Sequence, residues 1–375
     1  MGDVVPIDES VVALLEGTLA GKETPAAALA VARSDGPVSL HAAGLARWEP
    51  RPAAAAADTV YLLASVTKPF TATAVLQLAE RGRLLLDDPV ARHLPEFGAA
   101  GKEAVTVRQL LAHTSGLDEA AVDASWEADR SLMASEATRV ASVCAAPLAF
   151  APGTKQQYCS AGYRILAALV ERLSGMDLAR YLRARIAAPL GLADTAFRPP
   201  QGAAAARAAG VAGPSWPHPE REFRRWGLTL DEMLTDFLAF PYAGGGLWST
   251  LLDLIALGRA YLAVLRGAAG GTGADALLSP AALRAMLRPQ TRGLSEPGAT
   301  APGPVRGLGF LLYGLDGGYD FFSPSAFGHG GSTGTLLVMD PDQDLVVVFL
   351  ANRWRWDGRG RLAAVNAAVA AATRS

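Results

Sequence analysis

The sequence has little of the chemistry that marks metalloproteins, disulfide-bonded proteins and nucleic-acid-binding proteins. Its 375 residues include only two cysteines, Cys144 and Cys159, whose spacing fits neither a disulfide framework nor a metal site. The five histidines form no HExxH pair, so we expect no metal and no other cofactor. A net charge of −2 gives no electrostatic reason to expect nucleic acid as a partner.

Long apolar runs are also missing. No stretch reaches the roughly 18 uninterrupted apolar residues of a membrane span, so we expect no membrane partner. The first ten residues contain Asp3, Asp8 and Glu9 and lack a basic segment followed by an apolar one, which predicts no secretory signal. We therefore expect a cytoplasmic protein. Nothing in the sequence indicates its oligomeric state.

Apolar runs at the two ends of the chain predict strands. Ala26–Ser34 and Val38–Ala46 are separated by the turn signal Asp35-Gly36-Pro37. Gly334–Met339 and Leu345–Leu350 are separated by a second turn rich in aspartate. Each pair therefore reads as two strands joined by a short loop.

Between these runs the sequence favours helices separated by glycine and proline loops. This order predicts an α+β fold in which an antiparallel sheet, flanked by helices, is built from the two ends of one domain. We place the sheet subdomain at about 1–80 and 240–375, and an inserted, mainly helical lobe at about 81–239. The end of this lobe carries aromatic residues that either pack a long loop or wall a binding cleft: Trp216, Phe223, Trp226, Phe237 and Phe240.

The clearest chemical signal is the pair Ser65 and Lys68. Residues three apart on a helix share one face, with Cβ atoms about 5–6 Å apart, so the amine can reach the hydroxyl. Pro69 is tolerated only in the first turn, which places the helix start at or near Ser65 and the hydroxyl at the positive end of the helix dipole. Only four of the 34 basic residues are lysines, so a lysine at this position is informative.

A neutral amine at this position would act as a base towards the serine hydroxyl, which arginine cannot do because it keeps its proton. The pair therefore predicts a serine nucleophile, Ser65, activated by Lys68, and an acyl-enzyme intermediate. The alternative that the spacing leaves open is an ordinary surface serine and lysine on a helix.

Further motifs occur in a fixed order along the chain. They are Ser65-Val66-Thr67-Lys68, His113-Thr114-Ser115-Gly116-Leu117, Tyr158-Cys159-Ser160, Ala243-Gly244-Gly245-Gly246-Leu247 and Gly328-His329-Gly330-Gly331. From about Ala28 to Asn352, the sequence resembles the serine β-lactamase-like family of class C β-lactamases, DD-peptidases, D-aminopeptidases and family VIII carboxylesterases. This resemblance implies that Tyr158 shares proton handling with Lys68. It also implies that the backbone N–H groups of Ser65 and Ser332 form an oxyanion hole.

Two departures from the family pattern concern the substrate. Ser160 replaces the usual asparagine of the second motif, and His329 replaces the lysine that holds a substrate carboxylate in β-lactamases and DD-peptidases. The resemblance places both in the substrate-binding region with Gly330 and Gly331. Because a short hydroxyl and a mostly neutral imidazole are poor partners for a peptide amide and a carboxylate, we expect a small-molecule acyl ester as substrate.

The favoured hypothesis is thus a carboxylesterase for short-chain or small aromatic acyl esters. A D-aminopeptidase or amidase, a weak β-lactamase and an acyltransferase remain as alternatives. A non-catalytic member of the fold that binds a ligand or partner is the alternative of another class. The motif Gly330-Gly331-Ser332-Thr333-Gly334 also spells GxSxG, but no histidine follows it to complete a triad.

Overall fold

The long strands of the protein form where apolar runs are bounded by turn residues. We describe a computed structural model over residues 3–48, 51–213, 224–225, 228–267, 277–316, 319–356 and 358–374. Its strands are β1 (Val4–Pro6), β2 (Ala26–Ala32), β3 (Val38–Arg47), β4 (Ala53–Ala54), β5 (Tyr61–Leu62), β6 (Arg224–Arg225), β7 (Leu228–Thr229), β8 (Trp248–Ser249), β9 (Phe327–Gly330), β10 (Leu336–Asp340) and β11 (Leu345–Ala351).

The main sheet joins strands from the two ends of the chain in the order β1-β3-β2-β11-β10-β9, with β4 paired to β3. Every pair in it is antiparallel except β1 with β3, which is parallel. β5 pairs with β8 and β6 with β7 in two small separate ribbons. The predicted antiparallel sheet is therefore confirmed, with one parallel pair at its edge.

Helices are the main regular elements between β5 and β9, and others lie near the two ends of the chain. They are α1 (Glu9–Ala20), α2 (Thr67–Glu80), α3 (Val107–Leu111), α4 (Glu119–Ala128), α5 (Glu136–Ala145), α6 (Ala161–Ser174), α7 (Leu178–Leu182), α8 (Leu230–Ala239), α9 (Leu251–Leu265), α10 (Pro280–Met286), α11 (Tyr313–Asp316) and α12 (Arg359–Arg374). Among these described helices, none has both the length and the apolarity needed to cross a lipid bilayer.

The two faces of the sheet bury two different sets of side chains. Along β11, Val346 and Val348 point into the larger core beneath α9, whereas Val347 and Phe349 point into a smaller core beneath α1 and α12. This alternation is the period of two that strand geometry imposes. Since both faces are covered by helices, the strand sequence is apolar throughout.

The helix α9 lies unusually close to the sheet at Gly258. A Cβ atom on this residue would fall 2.3 Å from Cγ1 of Val346 in β11, so only glycine fits there without a shift. The contact sets how closely α9 packs on the sheet. The α+β class is confirmed, while the division into subdomains at about 80 and 240 stays a prediction.

Candidate active site

Ser65 lies on a sharp turn that leads from β5 into α2. Ala64 has φ = 47°, in the left-handed region that non-glycine residues rarely occupy, and a 3₁₀ turn covers Ala64–Val66 before α2 begins at Thr67. Pro69 is the third residue of α2, where its missing N–H would have no partner in the helix. The turn leaves Ser65 partly exposed at the start of the helix, as the position of Pro69 predicts.

The segment after β9 holds this turn in place. Thr333 donates its hydroxyl to the carbonyl of Leu62 at 2.7 Å, and Thr335 donates to the carbonyl of Leu63 at 2.7 Å. A Cβ atom on Gly331 would lie 2.3 Å from the oxygen of Leu63, so glycine is required where this segment approaches the turn. The contacts offset the backbone strain at Ala64, which costs of order 1–3 kcal/mol.

Lys68 is fully buried, and its Nζ atom has three oxygen neighbours. It lies 3.2 Å from Oγ of Ser65, 3.2 Å from Oγ of Ser160 and 2.7 Å from the carbonyl oxygen of Gly244. Among the described residues, no carboxylate forms an ion pair with it. The amine is thus positioned by neutral oxygen atoms, one of which belongs to the predicted nucleophile.

The Gly244 carbonyl is itself held by the first turns of α2. Leu247 donates its backbone N–H to Oγ1 of Thr67 at 3.1 Å, and Thr71 donates its hydroxyl to the carbonyl of Ala243 at 2.9 Å. These bonds tie the glycine turn, residues 243–247, to the helix that carries Lys68. The sequence identified this turn as a motif, and the structure assigns it the role of orienting the amine.

Tyr158 donates its hydroxyl to Oγ of Ser65 at 2.7 Å. Its ring lies 4.6 Å from Nζ of Lys68, measured to the ring centroid. The structure therefore brings the serine, lysine and tyrosine of the sequence analysis into direct contact. The amine and the phenolic hydroxyl that the family resemblance pairs in proton handling thus converge on one hydroxyl.

His113 supports Tyr158 from behind. Its Nδ1 accepts the backbone N–H of Cys159 at 3.1 Å, its carbonyl accepts from Gln157 at 2.9 Å, and its ring centroid is 4.5 Å from that of Tyr158. Burial, together with nearby Arg306 and Lys68, lowers the pKa of His113 well below its ordinary value. A neutral His113 therefore fixes the segment that presents Tyr158.

Ser160 lies next to the predicted base. Its hydroxyl accepts a hydrogen bond from Lys68, and the substrate-binding role that the family resemblance implies stays a prediction. Ser160 precedes α6 and makes no capping bond to that helix, so its hydroxyl is available to the amine. Its described side-chain contact is thus with the predicted base.

His329 is buried at the end of β9, and its Nδ1 bonds the carbonyl of Gly330 at 2.7 Å. A carbonyl only accepts, so Nδ1 carries the proton. Burial first, then the charge of Lys68, lowers the pKa of His329 to about 3. The imidazole is therefore neutral at pH 7, in agreement with the argument that it is not a fixed cation.

Sequence reasoning missed Arg306. Its guanidinium carbon lies 5.1 Å from the centroid of the Tyr158 ring, and the side chain is largely buried. Arg306 also contributes to lowering the pKa of both His113 and His329. The site thus contains a fixed cation other than Lys68, although the family's third-motif lysine is absent. No spacing rule links residue 306 to the motifs, so only the fold reveals it.

Ser332 lies in the turn between β9 and β10, next to the turn of Ser65. Within the described chain, its backbone N–H has no hydrogen-bond acceptor, and its carbonyl accepts from Arg355 at 2.6 Å. An unpaired N–H beside the nucleophile suits the oxyanion-hole role that the family resemblance implies. In the GxSxG reading, Ser332 would need a histidine base, and the described structure gives its hydroxyl no side-chain partner.

Residues 11–372 match the sequence model of the family described as Beta-lactamase. The chain belongs to the beta-lactamase family. Two solved structures agree in fold: EstCE1, a hydrolase with promiscuous acyltransferase activity, and a family VIII carboxylesterase. Their TM-scores are 0.77 and 0.76 at 23% and 22% identity. The matches cover 96% and 99% of this chain and 97% and 99% of theirs.

The relatives found by sequence similarity include a protein named as an esterase and proteins named as carboxypeptidases. Esterase EstB of Burkholderia gladioli is 42% identical over 153 residues, which are 37% of this chain and only 39% of that esterase. A protein of Escherichia coli (strain K12), provisionally named a D-alanyl-D-alanine carboxypeptidase, is 30% identical over 329 residues, 81% of this chain and 71% of that protein. The protein is thus a serine hydrolase of this family, with esterases among its relatives.

Two further predictions concern a metal site and the aromatic residues of the predicted cleft wall, and the described residues give the following observations. Among these residues, no group of three or more His, Cys, Asp and Glu side chains is arranged to hold a metal ion. Trp216, Phe223 and Trp226 lie outside the described residues, as does the side chain of Phe237. The ring of Phe240 packs against Arg139 at 4.3 Å, within the helical region.

Proposed function

We propose that the protein is a carboxylesterase that hydrolyses short-chain or small aromatic acyl esters through an acyl-enzyme on Ser65. The observation that carries this proposal is the position of the Ser65 hydroxyl. It lies 3.2 Å from Nζ of Lys68 and 2.7 Å from the Tyr158 hydroxyl. Both distances fall within hydrogen-bond reach of a general base.

The surroundings of Lys68 direct the lone pair of its unprotonated form towards Ser65. Two N–H groups of this form have acceptors in the Gly244 carbonyl and the Ser160 hydroxyl, and its lone pair then faces Ser65. The Ser65 proton passes to the Lys68–Tyr158 pair while Oγ bonds to the ester carbonyl carbon. The resulting oxyanion is stabilised by the N–H groups of Ser65 and Ser332.

The same groups complete the cycle. As the tetrahedral adduct collapses, its carbon–oxygen bond to the leaving group breaks, and the alcohol leaves with the proton that the Lys68–Tyr158 pair returns. Water then loses a proton to this pair and attacks the acyl carbon, which releases the carboxylic acid and restores the Ser65 hydroxyl. The proposal needs no cofactor, and the alternative of a non-catalytic binding protein predicts none of these steps.

An ester is favoured over a peptide by what surrounds the nucleophile. Ser160 is engaged with Lys68, and no asparagine amide stands in its place to bind a substrate amide. His329 is neutral, so it supplies no charge for a substrate carboxylate. A small neutral ester needs neither a partner for an amide group nor a positive charge for a carboxylate. The esterase names among the relatives support the same class.

One observation favours a second candidate, hydrolysis of carboxylate-bearing amides or lactams. Arg306 places a largely buried cation against the Tyr158 ring, in the same site as Ser65. Arginine binds carboxylates with two parallel hydrogen bonds. The carboxypeptidase name of one relative is in line with this candidate.

The decisive test is a substrate panel under one set of conditions. It comprises p-nitrophenyl acyl esters of two to eight carbons, p-nitrophenyl benzoate, D-amino-acid p-nitroanilides and a chromogenic cephalosporin. We expect the highest kcat/KM on a short or aromatic ester. Cephalosporin or D-amino-acid amide turnover at a comparable rate would overturn the preference for esters.

Labelling with a fluorophosphonate, followed by peptide mass spectrometry, separates enzyme from non-catalytic binder. The label should be found on Ser65. The Ser332→Ala protein is the matched control, because it lacks the other candidate serine. Its labelling should be the same as that of the wild type.

A further inference from the structure

A cavity lies between α2, α7 and the glycine turn. Its volume is about 480 Å³, within the range of small-molecule sites. The walls include the buried side chains of Phe70 from α2, Leu182 from α7, Phe197, and Leu247 from the glycine turn. Ser65, Lys68, Tyr158 and His329 are not among its lining residues. It is therefore distinct from the catalytic centre.

The rim of this cavity is basic. Arg180, Arg183 and Arg198 line it and are exposed. Within the described part of the chain, none of the three guanidinium groups forms a hydrogen bond or an ion pair. This contrasts with other arginines of the same region, since Arg207 pairs with Asp194 and Arg164 with Glu136. The charge at the rim is thus left without a protein counter-ion.

The local backbone also departs from regular geometry here. Arg183–Ala187 form a π-helical turn directly after α7, and the carbonyl of Arg185 accepts a hydrogen bond from Gln77 of α2 at 3.2 Å. A π turn inserts an extra residue into a helix, and such turns are frequent at functional sites. In this protein the turn carries both Arg183 on the rim and Ala187 on the wall.

We propose that this cavity binds a carboxylate with an apolar tail, such as a medium-chain fatty acid. The tail would lie against Phe70, Leu182 and Phe197, and the carboxylate would meet the arginines of the rim. Charge complementarity identifies the head group, because a neutral amphiphile would leave the three cations unmatched. The inference does not depend on Ser65 acting as a nucleophile.

A ligand in this cavity would also contact the segment that orients Lys68. Leu247 lines the cavity, accepts the N–H of Leu63 through its carbonyl at 2.8 Å, and donates its own N–H to Thr67. The same glycine turn presents the Gly244 carbonyl to Lys68. A bound tail therefore contacts the segment that orients the amine, although the binding test below does not require an effect on activity.

The test is isothermal titration of Ser65→Ala protein with hexanoate, octanoate and decanoate below their micelle concentrations. We expect affinity to rise about fourfold for each added methylene until the cavity is filled. Decanol carries the same chain without the charge and should bind at least about tenfold more weakly than decanoate. Acetate should not bind measurably, and added salt should weaken decanoate binding.

Two sets of variants locate the site. Combined Arg180→Gln, Arg183→Gln and Arg198→Gln should weaken decanoate binding by about tenfold or more, whereas Arg284→Gln, an exposed arginine on α10, should not. Ala187→Phe should fill the cavity and abolish binding. Because that variant also disturbs a buried position, its thermal melt is compared with the parent's, and the exposed arginine variants stand as the independent test.

Three outcomes would overturn the proposal: no binding of decanoate, equal binding of decanol and decanoate, or binding unchanged in the triple arginine variant. Blocking the catalytic cleft by Tyr158→Trp should leave decanoate affinity intact. Loss of binding in that variant alone would place the ligand in the catalytic cleft instead. Failure of the ester panel would leave this test unaffected, so the two proposals fail separately.

Discussion

Ser65 and Lys68 meet within one turn of chain, whereas Ser160, His329 and Arg306 reach the same centre from three separate elements. The first pair is fixed by the short turn that leads into α2 and by hydrogen bonds between two threonines of α2, Thr67 and Thr71, and the glycine turn. The second group is positioned by packing across the interface between helices and sheet. In the proposed function, the chemistry of acyl transfer depends on a local motif, while substrate preference depends on residues that are distant in the sequence.

Removal of the predicted nucleophile should have the largest effect on activity. Ser65→Ala should lower ester hydrolysis by on the order of 10⁶-fold, as expected when a serine nucleophile is lost. Since Ser65 is partly exposed and only one hydroxyl is removed, the melting temperature should change little. Steady-state kinetics and a thermal melt are the measurements. Ser332→Ala, which keeps its backbone N–H, should retain activity within about tenfold of wild type; the reverse pattern would favour Ser332 as nucleophile.

Removing the base should have the next largest effect. Lys68→Ala should lose about 10²–10⁴-fold in kcat/KM, the usual contribution of a general base. A small primary amine such as ethylamine, added to this variant, should restore part of the activity with a rate that follows the unprotonated amine.

Lys68→Arg is the matched variant, because it keeps the charge but cannot release its proton. It should be as inactive as Lys68→Ala, with circular dichroism confirming the fold. A folded Lys68→Arg protein that retains more than about a tenth of wild-type kcat/KM would remove Lys68 from the mechanism.

The burial of His329 leads to a prediction about how the stability of the protein depends on pH. Burial lowers the pKa of His329 to about 3, whereas an unfolded histidine titrates near 6.5. The unfolded state therefore binds more protons between these values, so the free energy of unfolding falls as pH decreases through this window. Between pH 7 and pH 5 the loss from His329 is about 2 kcal/mol, and His113 acts in the same direction.

Urea unfolding of wild type and His329→Asn at pH 7 and pH 5 measures this contribution. The variant should show a smaller difference between the two pH values, by about 2 kcal/mol. An identical pH dependence in both proteins would mean that His329 is not held neutral by the fold. His41→Asn serves as the comparison, because no acidic or basic residue forms an ion pair with His41 in the described structure.

The smallest expected change in kcat/KM is the one that distinguishes carboxylate-bearing substrates from neutral esters. If Arg306 anchors substrate carboxylates, Arg306→Gln should lower kcat/KM by about tenfold on carboxylate-bearing substrates and by less than about threefold on a neutral ester. Arg306→Lys keeps the charge and should recover part of the loss. Equal losses on both substrate classes would indicate that Arg306 acts through its contact with the Tyr158 ring, as a positioning residue.

The sequence by itself determined the local parts of this protein. A helix places residues three apart on one face, so Ser65 and Lys68 had to meet once Pro69 fixed the helix start. Apolar runs bounded by turn residues were sufficient to predict β2, β3, β10 and β11, because strand pairing at short range follows from them. The motif order was sufficient to identify the family.

Only the tertiary structure decided what surrounds that local pair. Tyr158 is 93 positions from Ser65, and Gly244 is 176 positions from Lys68, so no periodicity relates them. The hydrogen bond from Lys68 to Ser160 joins residues 92 positions apart, and only packing at the start of α6 creates it. Arg306 and the basic cavity beside the glycine turn carry no motif at all. Contacts between distant segments depend on how whole elements pack, and side-chain spacing along the chain does not encode that packing.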